Sequence, residues 1–148
     1  MKQIGLFVHG GRKDAPAYAA RAVKALQNAG AEVWAEQNAA SYLHVKELTQ
    51  AEHLDALIAL GGDGTLLRAA QEAVRTNAPL LGINLGHMGF LTETEPDCLE
   101  TAVKALMEER YTLENRMLLR IDRPHTGESY LALNDVVVNR GGYARLIT

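Results

Sequence analysis

The sequence contains one cysteine, Cys98, so no internal disulfide can form and no thiolate cage for a metal is available. His9, His44, His53 and His125 show no metal-ligand spacing. No apolar run approaches the roughly 20 residues needed to cross a bilayer. The stretch from Met1 to Val8 is too short and too soon interrupted to be a signal peptide. A cytoplasmic protein with no membrane partner is expected. The net charge is -3 and the Lys and Arg residues are scattered, which argues against a nucleic-acid binder, since that function needs a concentrated basic face. A small anionic ligand is still allowed, because backbone amides at a helix terminus bind anions without net positive charge. There is no internal repeat and no low-complexity segment.

With 47% hydrophobic and 22% charged residues over 148 positions, the chain has the profile of a soluble globular protein of one domain, or one domain and part of another. Lys2 to His9 reads as a buried strand bounded by Gly10-Gly11. Ala15, Tyr18, Ala19, Ala22, Val23 and Leu26 fall at helical intervals, with Asp14 as the N-cap, Pro16 in the first turn and Gly30 as the stop. Glu32 to Ala35 is a short strand, whereas Glu36 to Leu54 has little pattern. Leu57 to Leu60 is a buried strand, Leu66, Leu67, Ala70, Ala73 and Val74 mark a second helix, and Pro79 to Asn84 is a further strand. Leu99, Ala102, Val103 and Leu106 give a third helical stripe, with Pro96 near its start. Strands alternating with helices predict a mostly parallel sheet covered on both faces, a Rossmann-like α/β domain over residues 1–110.

The pattern changes after Glu109. Tyr111 to Ile121, Ser129 to Asn139 and Ala144 to Thr148 read as successive strands with no helix between them. Residues 111–148 are therefore expected to begin an antiparallel β domain. Two or three strands are not stable alone unless something covers their apolar face, so this domain is expected to be incomplete or to pack on a partner.

The most informative stretch runs Leu57-Ile58-Ala59-Leu60-Gly61-Gly62-Asp63-Gly64-Thr65-Leu66-Leu67, which reads as strand, tight loop, helix. Such a loop lies at the carboxyl end of a parallel strand, where open α/β sheets bind ligands. Glycines permit positive φ and close approach of a ligand to the main chain, and the helix that follows offers free N–H groups to a phosphate. No Gly-Lys-Ser/Thr follows and no Gly-x-Gly-x-x-Gly is present, so neither common phosphate-loop signature applies. Asp63 would repel a phosphate unless Mg²⁺ lies between them, or unless Asp63 faces a substrate hydroxyl and accepts its proton. The plain alternative is that Asp63 or Thr65 caps the helix.

Other positions carry similar alternatives. Asn84 ends a strand and so lies at the same edge. Beyond it, Gly86 and Gly89 permit a tight loop from which His87 and Phe90 project. Phe90 either stacks on a base or fills the core, and His87 either carries a proton or forms a simple hydrogen bond. Asn134-Asp135 interrupts the apolar run Tyr130 to Val138. In a strand the two side chains would point to opposite faces, one toward a ligand, or the pair marks a β-bulge or a buried hydrogen-bonded pair. Arg68, one turn beyond Gly64, either pairs with phosphate or is solvated. Arg12 and Lys13, at the end of the first strand, either reach the same edge or are solvated loop charges, and Trp34 and the four methionines read as packing residues.

Gly61-Gly62-Asp63-Gly64-Thr65 resembles the signature shared by NAD kinases, diacylglycerol and sphingosine kinases and, more distantly, phosphofructokinases. The flanks discriminate among them. Gly64 to Ala70 is similar to the NAD kinase form, and Pro79-Leu80-Leu81-Gly82-Ile83-Asn84-Leu85-Gly86-His87-Met88-Gly89-Phe90-Leu91 resembles a second NAD kinase block. Leu133-Asn134-Asp135-Val136-Val137-Val138 resembles a third, with Asp135 where the family often has Glu, one methylene longer. The resemblance implies an ATP- and Mg²⁺-dependent kinase, usually a homo-oligomer, that phosphorylates the 2'-hydroxyl of the adenosine ribose of NAD to give NADP. Asp63 would act on that hydroxyl, and the amides of Gly61, Gly62, Asp63, Gly64 and Thr65, with Arg68, would hold phosphates. Asn84, His87 and Phe90 would line the dinucleotide site, with Asn134 on the adenine and Asp135 on the ribose hydroxyls. A further family block rich in Thr, Gly and Ser lies downstream of the last residue, so this chain is expected to be the first half of the enzyme and inactive by itself. A lipid or sugar kinase with the same glycine motif and a non-catalytic nucleotide-binding half are the alternatives.

Overall fold

The computed structural model describes residues 1–86, 89, 91, 92 and 94–137. The chain divides into two compact units, Met1–Glu114 and Asn115–Thr148.

The first unit is built on five parallel strands, β1 (Gln3–Val8), β2 (Glu32–Ala35), β3 (Lys46–Glu47), β4 (Ala56–Gly61) and β5 (Leu80–Asn84). They lie in the order β3-β2-β1-β4-β5. Four helices accompany them: α1 (Ala15–Asn28), α2 (Gln37–Leu43), α3 (Asp63–Arg75) and α4 (Leu99–Met107). The chain moves outward from β1 through β2 to β3, then returns to lay β4 on the other side of β1. That reversal creates a switch point between the carboxyl ends of β1 and β4, where open α/β sheets bind ligands. The expected Rossmann-like domain is thus observed.

Alternation along the strands assigns the two faces of the sheet. Ile4, Leu6 and Val8 of β1, Val33 and Ala35 of β2, Ile58 and Leu60 of β4 and Ile83 of β5 enter one core with the buried faces of α1 and α4. Leu57, Ala59 and Gly82 face the opposite side, where Leu66, Ala69, Ala70 and Ala73 of α3 are buried. Gly5 belongs to that second side, because a Cβ there would fall within 2.7 Å of Leu54 Cδ1. Near-continuous apolar strands such as Ala56–Gly61, buried at every position, are what a doubly covered parallel sheet requires.

Helix α1 stops where Gly30 takes φ 81°, its amide donating to Gln27 O while the Ala31 amide donates to Leu26 O. This left-handed cap favours glycine. Asp14 occupies the N-cap position but makes no side-chain cap bond. Its carboxylate is taken by Arg12 (Nε 2.5 Å, Nη2 2.8 Å), which holds its pKa below the ordinary carboxylate value. The weakly patterned stretch from Glu36 contains α2, β3 and a 3₁₀ turn at Leu48–Gln50, elements too short to display a period. Pro96 opens a second 3₁₀ turn, Pro96–Cys98, that leads into α4.

In the second unit, β6 (Leu119–Arg123) pairs antiparallel with β7 (Glu128–Ala132), register Leu119↔Ala132 to Arg123↔Glu128. Both strands are shorter than their apolar runs suggest. Residues 111–118 and 133–137 have no ladder partner among the described residues, and an unpaired run is not a strand. The strand expected from Ala144 to Thr148 lies outside the described residues. Among the described residues, no helix is long and apolar enough to cross a membrane.

Candidate active site at the carboxyl edge of the sheet

Strand β4 delivers Gly61 to the carboxyl edge, and α3 starts two residues later with Gly62 as its N-cap. The carbonyl of Gly62 accepts the Thr65 amide (2.9 Å) and the Leu66 amide (3.1 Å), closing the first turn. None of Gly61, Gly62 and Gly64 takes a positive φ. Their value is spatial. A Cβ on Gly61 would overlap the Thr65 side chain, which is buried beneath the turn. At Gly62 and Gly64 no described atom comes within 4 Å of the Cβ position. The first turn of α3 therefore presents bare main chain on that side, the condition a phosphate needs to reach helix-terminal amides.

Asp63 is the first helical residue. Its Oδ1 accepts the amide of Leu91 (3.0 Å), from the segment that follows β5. Gly89 of the same segment lies directly against the carboxylate, since a Cβ there would stand 2.6 Å from Oδ2 and closer still to Oδ1. The carboxylate is thus held from the β5 side, away from the N-cap position. Asn84 is buried at 3% exposure, and its Oδ1 accepts the Gly86 amide (2.9 Å). The main chain around Asn84 is fixed as well, its own amide donating to Thr94 O (2.8 Å) and that of Leu85 to Gly61 O (3.2 Å). The β4 and β5 ends are therefore stitched into one edge, with Asn84 shaping the loop and Asp63 clasped by it.

Arg68 lies on α3 with its guanidinium 5.6 Å from the centre of the Phe7 ring, a cation–π contact at the end of β1. Of the two readings of Arg12, the one at the edge holds: a Cβ on Gly86 would fall 2.7 Å from Arg12 Nη1. Glu36 follows the last residue of β2, and its Oε2 accepts the Val8 amide (3.2 Å). Burial pushes its pKa up, opposed by the backbone amides and, more weakly, by Arg68. Glu36 was missed because it opens an unpatterned segment; its one signal was an acid placed immediately after a short strand.

In the second unit, Asn134 and Asp135 lie two and three residues beyond β7, exposed, with Asn134 Nδ2 donating to Asp135 Oδ1 (3.3 Å). They do not project to opposite faces of a strand, because the ladder has already ended at Ala132. His87 and Phe90 lie outside the described residues. Among the described residues, no group of three or more His, Cys, Asp or Glu side chains is arranged to hold a metal.

A doubly wound parallel sheet with an aspartate-bearing glycine turn beside its switch point defines a Rossmann-like α/β domain. Residues 4–111 match the family model described as the ATP-NAD kinase N-terminal domain, and the chain belongs to that family. The NAD kinase of Moorella thermoacetica is 48% identical over 95 residues, which are 63% of this chain and 30% of that protein. The NAD kinase of Chlorobium phaeobacteroides is 37% identical over 152 residues, covering 99% of this chain and 53% of its own length. A crystal structure of yeast NADH kinase complexed with NADH shares the fold at a TM-score of 0.71 and 14% identity, over 89% of this chain and 43% of that one. The chain thus spans about half, or less, of the length of these relatives.

Proposed function

We propose that this chain supplies the Asp63 half of an NAD kinase, which transfers the γ-phosphate of ATP to the 2'-hydroxyl of the adenosine ribose of NAD and so makes NADP. The observation that carries this is the clasped carboxylate of Asp63 beside bare helix-terminal main chain at the switch point. Asp63 accepts the proton of the ribose hydroxyl as that oxygen bonds to the γ-phosphorus. The bond from the γ-phosphorus to the β–γ bridging oxygen breaks, and ADP leaves with the electron pair. The amides of Gly61 to Thr65 and the guanidinium of Arg68 hold phosphates. Asn84, His87 and Phe90 line the NAD site, Asn134 meets the adenine and Asp135 the ribose hydroxyls.

Mg²⁺ enters with the triphosphate as part of the donor substrate. It would neutralise charge on the triphosphate, with phosphate oxygens and water as its ligands. Residues from 111 onward begin a second, all-β domain. The enzyme works in the cytoplasm as a homo-oligomer. The NAD kinase relatives favour this function over that of a lipid or sugar kinase.

The test uses the protein encoded by the complete reading frame, assayed for NADP formation from NAD and MgATP. Asp63→Asn keeps an oxygen for the Leu91 amide but removes the base. Its kcat is expected to fall by roughly 10²- to 10⁴-fold, the usual contribution of general base catalysis, with an unchanged melting temperature. Wild-type turnover in Asp63→Asn would remove Asp63 from the chemistry, and no NADP from the wild type would reject the activity.

A further inference from the structure

We propose that Glu36 receives the ribose hydroxyls of the donor nucleotide, so that the carboxyl end of β2 holds the donor's ribose while Asp63 acts on the acceptor. This rests on the kinase activity proposed above and adds a donor subsite to it.

Glu36 extends β2 by one residue, its amide still donating to Leu6 O (3.4 Å). Val33 and Ala35 enter the α1 side of the sheet, so strand alternation turns Glu36 to the α3 face. The glycine turn and Arg68 occupy that same face. Strands β2 and β4 flank β1. At about 4.8 Å between neighbouring strands, their ends lie about 10 Å apart, a distance that a triphosphate chain spans.

The chemistry of Glu36 also suits a diol. Its side chain is half-buried, yet among the described residues no Lys, Arg or His lies within ion-pair distance of it. Its hydrogen bond to another residue there comes from a neutral amide, that of Val8, beside a weaker influence of its own amide and of the more distant Arg68 charge. A carboxylate has room for about four hydrogen bonds, all as acceptor. Two vicinal hydroxyls are donors of matching spacing and need no counter-charge. A glutamine could receive the Val8 amide equally well, so local structure alone does not require the charge that burial disfavours here.

The test compares binding of MgATP and Mg-2',3'-dideoxy-ATP by calorimetry, with the protein from the complete reading frame and its Glu36→Gln and Glu36→Ala variants. Gln retains an oxygen for the Val8 amide, so folding is preserved in that variant. The wild type is expected to bind ATP about tenfold or more tightly than the dideoxy nucleotide, the magnitude of a charge-assisted hydrogen bond. In both variants ATP affinity drops and this ratio collapses toward one, while the KM for NAD stays unchanged. A wild type that does not discriminate, or variants that keep the ratio, would overturn the assignment even if NADP is formed. Absence of NADP formation with the ratio behaving as expected rejects the kinase activity and leaves the ribose subsite standing.

Discussion

Gly89 rests against the carboxylate of Asp63, with no room for a side chain between them. The Leu91 amide holds Oδ1 of the same carboxylate, so the segment after β5 sets both the distance and the orientation of the group on which the proposed chemistry depends. In Gly89→Ala either the loop or the aspartate has to move by an ångström or more. A displacement of about 1 Å at a reacting group costs on the order of 10²-fold. The kcat for NADP formation is therefore expected to fall about 100-fold, with KM for ATP and NAD within about threefold of wild type. A fall confined to KM would show that Gly89 shapes a binding surface instead of positioning Asp63.

The glycines of the turn separate into two kinds that one substitution each can distinguish. A methyl group at Gly61 meets Thr65 in a buried position, so Gly61→Ala should destabilise the fold by about 1–3 kcal/mol through overpacking. Gly64 lies inside α3 with open space at its Cβ. Gly64→Ala should stabilise the helix by about 0.5–1 kcal/mol while weakening nucleotide binding, because the methyl covers main chain that a phosphate has to approach. Urea unfolding and ATP titration of both variants check this. A Gly64→Ala protein that binds ATP normally would place the phosphates elsewhere.

Arg75 closes the far end of α3. Its Nη1 donates to Ala51 O (2.8 Å), its Nη2 to Leu48 O (2.8 Å) and its Nε to Glu72 (2.7 Å). This side chain thus ties the connection between β3 and β4 to α3 at the end distant from the site. Arg75→Ala should cost about 1–2 kcal/mol, since two carbonyls lose a charged donor but the side chain is partly in water. The expected signature is a lower urea midpoint with unchanged kcat and KM.

Sequence made legible what depends on local pattern. The apolar run from Leu57 to Leu60, the Ala-rich stripe of α1 and the Gly30 stop each state their structure within a few residues. The glycine turn at Gly61 was legible too, although its glycines answer to space and not to φ. The clasp on Asp63 was hidden because it joins residues 28 apart, and nothing near Gly89 announces a carboxylate. Glu36 was hidden for the same reason, as its role arises from neighbouring strand ends. The start of β6 and the end of β7 were overestimated because strand-like sequence there extends beyond the paired residues, and pairing, not composition, bounds a strand.

Glu36 also leads to a prediction about stability that is independent of catalysis. Burial is the largest influence on its carboxyl group and raises the pKa above the ordinary 4.5. The folded chain therefore binds this proton more tightly than the unfolded chain does. Well below 4.5 both states are protonated and the group costs nothing. As pH rises past the unfolded value, the unfolded chain ionises first and stability is lost; once the folded group has also ionised, the loss is complete and stays constant. Asp14, Glu100 and Asp122, whose pKa values are lowered by their hydrogen bonds, act in the opposite direction, but they are common to wild type and variant. The difference in melting temperature between Glu36→Gln and wild type therefore isolates Glu36. It should be near zero or negative at about pH 3.5, rise in favour of the glutamine variant above the ordinary carboxylate value, and level off at neutral pH. Thermal unfolding followed by circular dichroism from about pH 3.5 to 8 measures it. A difference that is flat across that range would mean that folding does not raise the carboxyl pKa of Glu36. A rise paired with loss of ribose discrimination would show that the fold gives up stability to keep a charge where the donor needs it.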